Sequence, residues 1–79
     1  MTFYSYLLLC KGDGTPAGDF AKDALADTTR PSLVGTRRSL ERNWFRHLDR
    51  VGACDAAVNG FVEAIDRWKS KQREMGGKS

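Results

Sequence analysis

Apolar residues recur at helical spacing along most of this chain, and nowhere do they alternate as in a strand. The clearest stretch is Ala53 to Lys71, where Cys54, Ala57, Val58, Phe61, Val62, Ile65 and Trp68 fall three and four apart. That spacing predicts one amphipathic helix, about 19 residues and roughly 28 Å long, as the spine of the fold. Three shorter helices precede it. Thr2 caps the first, Phe3 to about Lys11, whose Phe3, Tyr6, Leu7, Leu9 and Cys10 predict dense burial, with Tyr4 or Tyr6 turning its hydroxyl to the rim. Lys11-Gly12-Asp13-Gly14 is a stop and turn, and Thr15-Pro16 opens the second helix, which runs to about Asp27. Its inward residues are Phe20, Ala21, Ala24 and Leu25.

Thr28 to Gly35 is an irregular connection in which Pro31 biases Arg30 away from helix. Leu33 and Val34 are expected to tuck under the core, and the segment has room for a further short helical turn. A third principal helix starts at Thr36 or Ser39 and reaches about Val51, with Leu40, Trp44, Phe45, Leu48 and Val51 on its apolar side. Gly52 closes it. The predicted fold is all-α, a compact bundle of four or five helices with a long last helix. One domain covers residues 1–73, followed by a frayed basic tail over 74–79.

Length and composition narrow the picture. Seventy-nine residues hold one core, with a stability margin of a few kcal/mol. Two tryptophans, four phenylalanines and two tyrosines are enough to fill it. The net charge of +3 is unevenly placed. Residues 1–29 carry two lysines against four aspartates, whereas residues 30–79 carry eleven Lys and Arg against six acids. Asp19, Asp23 and Asp27 form an acidic stripe at i, i+4 and i+8 of the second helix. Arg38, Arg42, Arg46 and Arg50 step along the third, joined by Arg37, as a basic stripe opposite Leu40, Trp44 and Leu48. Such a split points to an electrostatic partner, a second copy included.

Candidate chemistry is sparse. Cys10 and Cys54 form no CxxC pair and His47 is the only histidine, so a zinc site lacks ligands and no metal or cofactor is expected. Both cysteines are expected as buried, reduced thiols, with a disulfide open if their helices cross. No Walker loop or triad-like motif is present, and no small-molecule substrate suggests itself, so an enzyme is the least favoured class. A helix–turn–helix reading of Leu48 to Ile65 fails because its recognition helix would open Asp55-Ala56-Ala57-Val58, an acid and apolar side chains. No secretory signal or membrane span is evident, which makes a cytoplasmic location the expectation.

The opening Phe3-Tyr4-Ser5-Tyr6-Leu7-Leu8 resembles the FYxYL start of the YozE-like, sterile-alpha-motif-like (SAM-like) family of small bacterial proteins. Asp19-Phe20-Ala21-Lys22-Asp23-Ala24, with Asp27 and Pro31 after it, is similar to that family's FAxxAxxD…P segment. His47-Leu48-Asp49 and Phe61-Val62-Glu63-Ala64-Ile65-Asp66-Arg67-Trp68 resemble its YLE and FxEAWDxY stretches. Arg30 and His47 stand where the family has aromatic residues, and the segment from Pro31 to Leu48 is longer and richer in arginine. The resemblance implies a SAM-like bundle and carries no established activity. Together these features favour a non-catalytic protein-interaction module, self-associating or docking on a host complex, through Arg37, Arg38, Arg42, Arg46 and Arg50 and through Asp19, Asp23 and Asp27. Trp44 or Phe45 is a candidate anchor, since neighbours on a helix point about 100° apart. Binding of an RNA or DNA backbone by the arginine stripe is the runner-up. A mobile-element or phage accessory inhibitor of a host complex is a narrower version of docking.

Overall fold

The computed structural model describes residues 1–76, with side chains as far as Gln72. Four α-helices follow one another: α1 (Phe3–Cys10), α2 (Pro16–Ala26), α3 (Arg37–Arg50) and α4 (Asp55–Gly76). No strand occurs among the described residues.

Three threonines start the first three helices, each by accepting a backbone N–H three residues on. Thr2 takes Ser5 N–H at 3.0 Å, Thr15 takes Gly18 N–H at 3.0 Å and Thr36 takes Ser39 N–H at 3.2 Å. Thr36 rather than Ser39 therefore opens α3. Helix α3 ends through Gly52, whose φ of 67° lets Ala53 N–H reach back to Leu48 O at 2.9 Å. That closure consumes Gly52 and Ala53, so α4 begins at Asp55 and not at Ala53. It continues past Lys71 to Gly76, over the first three residues of the expected tail, and 77–79 lie outside the described residues.

Phe61 of α4 is fully buried and holds the core together. Its ring meets Phe3 of α1 at 6.2 Å, Phe20 of α2 at 5.3 Å, and Trp44 and Phe45 of α3 at 6.0 and 5.1 Å. Most of these contacts are edge-on, the geometry aromatic quadrupoles favour. Helices α2 and α4 form the tightest pair. A Cβ on Gly60 would lie 3.0 Å from Phe20 Cβ and closer still to Pro16 O, so only glycine permits this crossing. Glu63 of α4 then accepts Ala17 N–H at 3.0 Å, which places a carboxylate on an orphan donor at the positive end of α2.

The connection from 27 to 36 stays irregular, without the short fifth helix for which the sequence leaves room. Its polar groups are committed elsewhere: Leu33 O accepts Tyr4 N–H at 3.1 Å, and Ser32 O accepts Trp44 Nε1–H at 3.2 Å. Leu33 is buried as expected, but Val34 is 60 % exposed, because its N–H is held by Ser32 Oγ and the chain turns outward there.

Other apolar expectations need correction. Leu9 lies about 110° from the buried face of α1, where α3 does not reach, and is 67 % exposed. Val51 and Val62 are likewise exposed. Cys54 is exposed too, since it precedes α4 and does not sit on its inner face, while Cys10 is buried; both are free thiols.

Candidate functional site

Helix α3 carries Arg38, Arg42, Arg46 and Arg50 on the side away from the core, while Arg37, about 20° round from Trp44, is exposed in the first turn. Leu40, Trp44 and Leu48 are buried, whereas Arg37, Arg38, Arg42, Arg46 and Arg50 are all exposed. Arg42 and Arg46 project about 160° and 200° around the helix from Trp44. Arg37 makes a long i,i+4 ion pair with Glu41 at 3.9 Å, and the other four form no ion pair among the described residues. Four guanidiniums thus face solvent along one helix, with charge and hydrogen-bonding capacity uncommitted. Between the two candidate anchors the structure chooses: Trp44 is 2 % exposed and belongs to the core, while Phe45 is 42 % exposed.

The acidic stripe divides. Asp19 and Asp23 are exposed on α2 and free of ion pairs among the described residues. Asp27 is engaged within the fold. Its Oδ1 accepts both the N–H and the hydroxyl of Thr29 at 2.8 Å, and its Oδ2 lies 3.1 Å from His47 Nε2. The two Thr29 bonds, then His47, hold the Asp27 carboxyl below its ordinary value of 3.8. As an ionised carboxylate Asp27 can only accept, so His47 Nε2 carries the hydrogen. His47 also packs edge-on against Trp44 at 5.5 Å.

Asp27 stands at the negative end of α2, an unfavourable place for an acid. Arg30 offsets it: its guanidinium donates to Ala24, Leu25 and Asp27 carbonyls at 3.4, 3.2 and 3.2 Å, closing the end of α2. Glu63 and Gly60 have structural roles that the sequence does not show, because each acts across the fold, whereas Arg30 acts on carbonyls three to six residues before it.

Between α2, the last turns of α3 and the start of α4 lies a groove of about 640 Å³. Among the described residues the backbones of α2 and α3 do not approach; the Phe20–Trp44 contact and the His47–Asp27 bond bridge them. Asp19, Lys22 and Asp23 border it on the α2 side, Leu48 and Val51 on the α3 side, and Phe20 and Trp44 form part of an apolar bed. The acidic and basic stripes consequently do not pair among the described residues: Trp44 and His47, not the arginines, are the residues of α3 that bridge to α2.

Cys54, His47 and Asp27 all border this groove, the residue types of a nucleophile, base and orienting acid. No hydrogen bond joins the Cys54 sulfur to His47 among the described residues, so the three do not form a relay. No group of three or more His, Cys, Asp or Glu among the described residues is placed to hold a metal ion. Burial raises the Cys10 thiol and the Tyr6 phenol above their ordinary values, which keeps both neutral in the core. No helix among the described residues is long and apolar enough to cross a membrane.

The geometry defines an all-α four-helix domain with an outward arginine face and, beside it, an acid-rimmed apolar groove. No family model, curated protein or solved structure matches the chain.

Proposed function

We propose that this chain is a small, non-catalytic protein–protein interaction module of SAM-like build that engages its partner through charged helical faces. One observation carries the reading: Arg38, Arg42, Arg46 and Arg50 line the outer side of α3, exposed and without ion pairs among the described residues. Structural arginines are ordinarily satisfied, as Arg30 is here by three carbonyls. Four solvent-exposed guanidiniums on one face, without ion pairs among the described residues, suit a surface that meets complementary charge, where such groups set specificity and encounter rate. The likeness of the FYSYLL and FAKDA segments to the YozE-like family supports the same build.

Backbone-directed binding of nucleic acid is the second reading, favoured by the suitability of guanidinium forks for phosphate. One experiment separates them: affinity capture from native host lysate, with and without nuclease, using the wild type and an Arg42→Glu/Arg46→Glu variant. A protein that survives nuclease and is lost with the variant is the expected result. Capture that disappears with nuclease transfers the arginine face to nucleic acid. A partner retained in full by the variant refutes the arginine face as the binding surface.

A further inference from the structure

We infer that the partner of the acidic groove is a second copy of this chain, whose Phe45 seats on the apolar bed while Arg38 and Arg42 meet Asp23 and Asp19. This rests on the reading of the outer side of α3 as an interaction surface and names its occupant.

The two halves of the contact are on the page. The groove offers an apolar bed that includes Phe20 and Trp44, with Asp19 and Asp23, free of ion pairs among the described residues, beside it and Lys22 between them. Asp27 is unavailable because Thr29 and His47 occupy it. The opposite flank of α3 offers Phe45, a half-exposed ring that packs edge-on against Phe61, with Arg42 and Arg38 on its N-terminal side and the acids Glu41 and Asp49 one turn before and after it. Phe45 and the nearby Arg38 and Arg42 are residue types in which interfaces are enriched.

Spacing agrees as well. Asp19 and Asp23 are separated by one i,i+4 step of α2, and Arg38 and Arg42 by one i,i+4 step of α3. Both steps rise about 6 Å, so two helices lying alongside bring both pairs into register.

Intramolecular pairing is ruled out by direction. Phe45 projects about 100° to one side of Trp44 and His47, at the groove, about 60° to the other. A chain cannot place its own Phe45 in its own groove. The contact is therefore head-to-tail, leaving one free groove and one free Phe45 at the ends, and it propagates unless the rotation closes a ring. One helix edge in one groove is a small interface, so the association is weak and sensitive to salt.

Sedimentation of the full chain tests this from about 10 μM to about 1 mM, at about 0.05 M and about 0.5 M salt. The wild type is expected to grow in mean mass with concentration, and to associate roughly tenfold more weakly at the higher salt. Asp19→Ala/Asp23→Ala and Arg38→Ala/Arg42→Ala each remove one half of the contact and should be monomeric. All four positions are exposed, so both variants should keep the wild-type circular dichroism. Mixed in equal amounts, the variants retain one groove and one Phe45 edge between them and should form a dimer and nothing larger. Phe45→Ala should also be monomeric. A wild type that stays monomeric throughout overturns the inference, as does a mixture with no dimer or an aspartate variant that associates like the wild type. A monomeric wild type whose lysate partner still depends on Arg42 and Arg46 overturns self-docking alone and leaves the interaction module standing.

Discussion

Helices α2 and α3 both lie on the long α4, but in opposite ways. Helix α2 is pressed against α4 at Gly60, and Glu63 holds its first turn. Helix α3 is kept off α2 by the side chains of Phe20 and Trp44, and it reaches α4 through rings that converge on Phe61. Close backbone approach leaves α2 no freedom to shift. Contact through side chains leaves α3 standing proud, with a groove on one flank and, on its outer face, four arginines without ion pairs among the described residues. The close contact with α4 thus belongs to α2 and the exposed charged face, proposed above for recognition, to α3, and the groove is a by-product of the spacing between them.

The largest effect that would break this comparison is at its common point. Phe61→Ala removes the ring that α1, α2 and α3 share and should cost about 3–5 kcal/mol. Against a total of about 4–12 kcal/mol for a chain of this length, that removes between about a quarter and all of the stability, so the denaturant midpoint should fall steeply. A denaturant melt with a midpoint close to the wild type would show that Phe61 does not join the helices.

Gly60→Ala acts on α2 alone. In an open helix this change stabilises, but here the added methyl meets Pro16 O and Phe20 Cβ, so a loss of about 1–3 kcal/mol is expected. An increase in stability would mean that α2 and α4 are less closely apposed than the structure has them.

Asp27 tests the polar bridge between α2 and α3. Its carboxyl is held below its ordinary value, so its contribution is present above about pH 4 and is lost as pH falls through the lowered value. Asp27→Asn should therefore lower the melting temperature at neutral pH and flatten its decline in acid relative to the wild type. Parallel acid limbs for the two proteins would show that Thr29 and His47 contribute no net stability through this carboxylate.

Much of the helical layout is legible from residue order because its causes are local. Thr2, Thr15 and Thr36 cap within three residues, Pro16 and Gly52 mark a start and a stop, and periodicity locates Leu40, Trp44 and Leu48 on one face and the arginines on the other. Where an expectation missed, the cause was not local. Leu9, Val34 and Val51 are apolar and sit beside buried residues, yet no second element arrives to cover them. Cys54 has helical spacing to Phe61, but closing α3 uses the residues just before it and leaves it outside the helix.

The candidate site follows the same division. That α3 presents an arginine face, and that α2 carries acids at i, i+4 and i+8, was determined by the sequence itself, because side-chain direction on a helix follows from 100° per residue. Only the tertiary structure decided that Asp27 is consumed by Thr29 and His47, that Phe45 rather than Trp44 is exposed, and that Arg30 and Glu63 cap α2. It alone set α2 and α3 far enough apart to leave a groove. Helix spacing depends on which side chains meet at each crossing, and those pairs are remote in sequence: Gly60 with Pro16, Trp44 with Phe20, Glu63 with Ala17.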